Sequence, residues 1–183
     1  PAALTFTSEK WSTGQTGAIT GITESVDDRN ISYSIVTGAA TGTDPAYNGI
    51  NPAHVSVTNT DDDTAGITVS PTSVLTTTEA GGTAQFTVVL DSEPEADVAI
   101  AVSSSDTTEG SVSPAALTFT SVNWNTAQTV TITGVNDTLN DGVISYSIVT
   151  SGASSTDSTY NGMDPADVSL TNTDDDMGGF TVT

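Results

Sequence analysis

Pro1-Ala2-Ala3-Leu4-Thr5-Phe6-Thr7 returns unchanged as Pro114-Ala115-Ala116-Leu117-Thr118-Phe119-Thr120, a shift from 1 to 114, or 113 residues. The match then runs on without a gap. It pairs Trp11 with Trp124, Ile31 to Thr37 with Ile144 to Thr150, and Asp61 to Asp63 with Asp174 to Asp176. A period this long exceeds the roughly 20–50 residues of solenoid repeats and describes beads on a string. One complete unit runs from Ala65 to Asp176. Residues 1–63 are the C-terminal part of a preceding unit, and residues 177–183 are the first strand of a following one. Because 1–63 lacks the strands corresponding to Ala65 through Ser113, that half-sandwich is expected not to close by itself. Either the full protein is longer or a neighbouring chain supplies the missing strands.

Within the complete unit, alternating Thr, Val, Ile and Phe predict half-buried strands at 66–70, 74–78, 84–90, 97–103, 116–120, 128–133, 143–150 and 167–173. Turn residues separate them, as in Ala80-Gly81-Gly82, Ser92-Glu93-Pro94, Asn140-Asp141-Gly142 and Tyr160-Asn161-Gly162. No stretch carries a helical period. The expected fold is all-β, a tandem of Ig-like antiparallel β-sandwich repeats. An aromatic content of only 5% fits small modules with thin cores.

The composition narrows the function. With no cysteine, neither a disulfide framework nor a thiolate metal site is possible, so a small exported module needs another source of stability, and a metal is the obvious one. The 23 acidic residues face 2 basic ones, Lys10 and Arg29, and the net charge of −21 makes nucleic acid and anionic membranes poor partners. No apolar run is long enough to insert in a bilayer. The N-terminal residues lack the features of an export signal, which is expected to lie outside this stretch.

If consecutive strands run antiparallel, successive connections alternate between the two poles of the sandwich. One pole then collects Glu79, Asp106 with Glu109, the loop Asn136 to Asp141, and Asp174 to Asp176. Carboxylates a few Å apart repel by about 1 kcal/mol per pair in water and about 4 kcal/mol at the effective dielectric of a protein surface. Ca2+ takes six to eight hard oxygen ligands in a flexible shell, whereas magnesium keeps its waters and zinc favours His or Cys. Of those two, the chain offers only His54.

The complete unit resembles a Calx-beta motif, of the divergent kind found in long repeat regions of large bacterial surface proteins and adhesins. The matching pieces are Thr78-Glu79-Ala80-Gly81-Gly82-Thr83 before a strand, Gly134-Val135-Asn136-Asp137 through Asp141 before Ile144-Ser145-Tyr146, and the closing Asp174-Asp175-Asp176. In that family calcium sits at the end of the sandwich that holds the closing acidic run. The resemblance therefore implies ligand roles for Glu79, Asp106, Asp137, Asp141, Asp174, Asp175 and Asp176. The partial repeat keeps Glu24, Asp27, Asp28, Asp61, Asp62 and Asp63 in matching places but has no counterpart of Glu79 or Asp106, so its site is expected to be weaker or incomplete.

Other readings compete. Acids can serve as a solvating coat, but here the outward strand positions are Thr and Ser, as at Thr87, Thr131, Ser145 and Ser147, while the acids crowd into loops. Trp11 and Trp124 read as packing residues or, alternatively, as sugar-stacking platforms. His54 has Asp167 as its counterpart and no nucleophile beside it, and no phosphate loop or nucleophile elbow is present. The expected function is therefore non-enzymatic: calcium-binding extender repeats of a secreted, extracellular bacterial surface adhesin or matrix fibre. Neighbouring repeats or identical chains would be head-to-tail partners, and a cell-surface or glycan ligand is a further expectation. The alternatives are a self-assembling filament subunit with strand exchange between chains, or a calcium-dependent carbohydrate-binding module.

Overall fold

The computed structural model describes residues 3–180 and divides into two compact units. Unit 1 comprises Pro1–Glu24 and Asp28–Asp61; unit 2 comprises Ser25–Asp27 and Asp62–Thr183. Among the described residues every regular element is a β-strand.

In unit 2 the strands are β3 (Ile67–Ser70), β4 (Leu75–Thr78), β5 (Thr83–Leu90), β6 (Val98–Ser104), β7 (Gly110–Ser113), β8 (Ala116–Phe119), β9 (Gln128–Gly134), β10 (Val143–Thr150) and β11 (Val168–Thr173). They form a four-stranded sheet in the order β3-β5-β9-β7 and a five-stranded sheet in the order β4-β11-β10-β6-β8. This is an Ig-like sandwich in which β8 adds an edge strand beside β6. The pairings are antiparallel except that β4 runs parallel to β11, with Leu75 opposite Leu170 and Thr78 opposite Thr173. Eight of the strands lie where the apolar alternation predicts them, to within a residue at each end. The ninth, β7, was not expected: Gly110-Ser111-Val112-Ser113 carries one apolar residue and stops at a proline.

Period-2 alternation builds the core. Phe86, Val88 and Leu90 of β5 and Val130 and Ile132 of β9 face Val98, Ile100 and Val102 of β6, Ile148 of β10 and Val168 and Leu170 of β11, all buried. Leu117 and Phe119 of β8 close the edge, and Trp124 packs against this cluster from the β8–β9 connection. The Tyr160 hydroxyl donates to the Ser92 carbonyl (2.7 Å). The Thr150 hydroxyl donates to the Ala166 carbonyl (3.1 Å), and Asp167 Oδ1 accepts the Thr150 N–H (3.0 Å).

Unit 1 contains β1 (Ile31–Ile35) and β2 (Val55–Asn59), an antiparallel pair with Ile31 opposite Asn59 and Ile35 opposite Val55. After the 113-residue shift this is the register of β10 and β11, where Ile144 faces Asn172 and Ile148 faces Val168. Smaller contacts repeat as well. His54 Nδ1 accepts the Thr37 N–H (3.2 Å), taking the place that Asp167 holds toward Thr150, so its ring serves the loop. Residues 3–7 and 15–21, counterparts of β8 and β9, form no strand. In unit 2 those strands pair with β6, and with β5 and β7, none of which has a counterpart in residues 1–63. Residues 177–180 carry no strand, and the remainder of the segment expected to open a following repeat, 181–183, lies outside the described residues.

The same phenylalanine thus has two environments, at 0% exposure for Phe119 and 56% for Phe6. Phe119→Ala is expected to cost unit 2 about 3–5 kcal/mol through cavity formation, and Phe6→Ala less than about 0.5 kcal/mol. Urea unfolding of the two variants measures the difference.

Candidate metal centre

Four connections meet at one pole of unit 2: those after β4, β6, β9 and β11. The parallel pairing of β4 and β11 brings their ends together, and the Glu79 N–H donates to the Thr173 carbonyl (3.0 Å). The chain then turns tightly, with Gly81 (φ 83°) and Gly82 donating to the Thr78 carbonyl. At the end of β9, Gly134 passes so close that a Cβ would strike the Thr78 carbonyl and Asn172 Oδ1, which demands glycine there. The Gly134 N–H donates to the Gly82 carbonyl (3.0 Å) and the Val135 N–H to the Glu109 carbonyl (3.0 Å), joining the first three connections.

The β9–β10 loop is tied to the closing acids. The Gly142 N–H donates to Asp174 Oδ2 (2.9 Å), Asn140 Nδ2 donates to the Asp176 carbonyl (2.9 Å), and Asp174 Oδ1 accepts the Asp176 N–H (2.7 Å). Within the loop Asp137 Oδ1 accepts the Leu139 N–H (2.6 Å).

The outcome is three overlapping acidic groups, Glu79 with Asp141 and Asp174, Glu79 with Asp175 and Asp176, and Glu109 with Asp137 and Asp141. In each, one carboxylate oxygen from every member lies within 4.8 Å of the others. Glu79 is 3% exposed and Glu109 5%. Glu79 Oε2 and Asp176 Oδ2 are buried without a hydrogen-bond partner among the described residues. A carboxylate oxygen in that position lacks both water and a donor, an arrangement that costs free energy unless a cation supplies the missing charge. The donor set is all oxygen, which fits a hard divalent cation and not a soft one.

Burial, followed by the nearby charges of Asp174, Asp137, Asp141 and Glu109, pushes the Glu79 carboxyl above its ordinary range. Burial and then Asp174, Asp175, Asp137 and Asp141 do the same to Asp176.

Seven of the eight acids expected at this pole therefore converge: Glu79, Glu109, Asp137, Asp141, Asp174, Asp175 and Asp176. Asp106 is not brought into these groups. Its Oδ1 accepts both the hydroxyl (2.5 Å) and the N–H (3.0 Å) of Thr108, and those bonds hold its carboxyl below the ordinary range. The residue delivered from that loop is Glu109, three positions on, immediately before β7. Its position depends on that unexpected strand, whereas the short Asp-Thr-Thr segment containing Asp106 is a self-bonded turn.

The acids of the partial repeat behave differently. Asp61 Oδ2 accepts the Arg29 N–H (2.6 Å), the same contact that Asp174 makes with Gly142, and Arg29 shares its positive φ (67°). Among the described residues, none of the three acidic groups includes Glu24, Asp28, Asp61, Asp62 or Asp63. Asp27 Oδ2 instead accepts the Ala65 N–H (2.9 Å) within unit 2.

No protein-family model and no curated protein matches the chain. Among solved structures it is similar to the Calx CBD1 domain in its apo form, at 16% identity and a TM-score of 0.47, covering 62% of this chain and 100% of that one. It is also similar to the periplasmic chaperone SfaE, at 12% identity and a TM-score of 0.47 over 64% of this chain and 61% of that one. A third likeness is to WR4, a C. elegans MSP family member, at 15% identity and a TM-score of 0.41 over 59% and 96%. The Ig-like sandwich rests on the strand pairing itself.

The raised carboxyl of Glu79 fixes a pH dependence. The folded state holds this proton more tightly than the unfolded chain does, so its contribution is full at about pH 4 and below and is lost as pH rises through the raised value. In chelator, Glu79→Gln is therefore expected to raise the unfolding midpoint, by an amount that grows between about pH 4 and pH 7. Thermal scans at a series of pH values check it; a difference that does not vary with pH contradicts it.

Proposed function

We propose that unit 2 binds calcium at this pole through Glu79, Glu109, Asp137, Asp141, Asp174, Asp175 and Asp176. We further propose that the protein is a non-catalytic extender segment of an extracellular surface adhesin or matrix fibre, its repeats stiffened by calcium. The observation that carries the reading is the buried Glu79 carboxylate, which leaves its Oε2 unpartnered among the described residues and groups with Asp141, Asp174, Asp175 and Asp176. The cation would supply charge compensation in a unit that contains neither Lys10 nor Arg29. The bidentate reach of carboxylates suits calcium's flexible shell better than magnesium's strict octahedron. Sites of this open, acidic kind have affinities of roughly 10⁻⁴ to 10⁻³ M, matched to the calcium outside cells. No helix of the described chain is long and apolar enough to cross a membrane.

Stabilisation follows from mass action on the folded state. Calcium at 10 mM is expected to raise the unfolding midpoint by on the order of 5–15 °C over chelator. Magnesium is expected to do much less. Replacing Asp174, Asp175 and Asp176 together by Asn should abolish the calcium increment; an increment that survives the triple replacement contradicts the site.

A second reading, a filament subunit whose neighbours exchange strands, draws on the exposed apolar residues of unit 1. Phe6, Tyr47 and Val55 are 56%, 63% and 49% exposed, whereas their counterparts Phe119, Tyr160 and Val168 are at most 1% exposed. Apolar surface of this extent favours a covering partner. Light scattering of the isolated chain tests it: masses at multiples of 18.5 kDa support assembly, and a monomer at high concentration counts against it.

A further inference from the structure

The geometry points to Asn172 as the positioning residue that assembles the acidic pole, an inference that rests on the calcium reading. Asn172 lies on β11, two residues before Asp174, and is fully buried. Its Nδ2 donates to Glu109 Oε2 (3.3 Å) and to the Val135 carbonyl (3.3 Å), and its Oδ1 accepts the Thr77 hydroxyl (2.9 Å). Each partner belongs to a different acid-bearing segment. Thr77 precedes Glu79 on β4; Glu109 belongs to the β6–β7 connection; Val135 opens the loop carrying Asp137 and Asp141; and Asn172 itself leads into Asp174, Asp175 and Asp176. This one side chain therefore bonds to β4, to the β6–β7 connection and to the β9–β10 connection, and its own strand leads into the fourth acidic segment.

The chemistry requires an amide. A carboxylate in its place would set a second negative group against Glu109 Oε2 and the Val135 carbonyl; an apolar isostere would remove the donor that both of those oxygens accept from. Gly134 is the companion requirement, since its lack of a Cβ leaves room for Asn172 Oδ1. The arrangement recurs in unit 1, where Asn59 Nδ2 donates to the Ile22 carbonyl (2.9 Å), the counterpart of Val135, although no counterpart of Thr77 or Glu109 is there to complete it. Asn172 is not itself among the acidic groups. It holds their members in place, as outer partners of metal ligands do, and losing such a partner typically weakens affinity by about 10–100-fold.

Calcium titration calorimetry on the full chain tests this with Asn172→Asp and, should that variant not fold, Asn172→Thr. Thr150→Val serves as a control that loses buried hydrogen bonds at the opposite pole. The expected result is a dissociation constant weakened about tenfold or more in the Asn172 variant, with Thr150→Val destabilised in chelator yet binding calcium as the unaltered chain does. An Asn172 variant that folds and binds within about threefold of the unaltered chain, below the range seen for such partners, overturns the positioning role alone. No calcium binding by the unaltered chain overturns the calcium reading and this inference with it.

Discussion

Like charges brought together at the end of a small sandwich are the constraint on which the rest of this structure depends. Strand direction delivers the acids: once β4 runs beside β11 and β10 beside both β11 and β6, Glu79, Glu109, Asp137, Asp141 and the closing Asp174 to Asp176 have nowhere else to go. The backbone accommodates them with close-packed turns. Gly134 and Gly110 sit where a Cβ would collide with Thr78 and Tyr146, and Asn172 knits the four segments from beneath. What the protein does not do is neutralise the charge, since the chain has only Lys10 and Arg29 and neither belongs to unit 2. Burial of Glu79 makes that omission expensive in the absence of a cation.

The two copies of the repeat separate what sequence dictates locally from what only a complete sandwich can supply. The hairpin of Ile31–Ile35 and Val55–Asn59 forms in the register of its counterpart, and Thr37, His54 and Asp61 make the loop bonds that Thr150, Asp167 and Asp174 make. These are properties of neighbouring residues and turn chemistry. Burial is not local. Phe6, Ile19 and Tyr47 have the same side chains as the core residues Phe119, Ile132 and Tyr160 but remain exposed, because the residues that would face them correspond to β5 and β6.

That distinction also explains what could be read from sequence. Alternation revealed eight strands, and the antiparallel rule placed eight acids at one end, Asp106 and Glu109 among them, because both depend on periodicity and connection length. The same rule leaves β4 and β11 running in the same direction, so their parallel pairing agrees with it and Glu79 arrives as expected. The strand Gly110–Ser113 has no apolar period of its own; it forms because β9 offers an unpaired edge, and of the two acids read from that loop it brings Glu109 to the site and leaves Asp106 out. Asn172 was equally hidden, since an Asn within Leu170-Thr171-Asn172-Thr173 reads as an ordinary strand position until the register buries it.

The most direct measurement is an anomalous difference map from crystals of the chain grown with calcium. The account predicts a peak at roughly 2.3–2.6 Å from Glu79 Oε2, shared with oxygens of Asp141 and Asp174 or of Asp175 and Asp176. A map without a peak at this pole, with Glu79 Oε2 satisfied by a water or a protein donor, would contradict it.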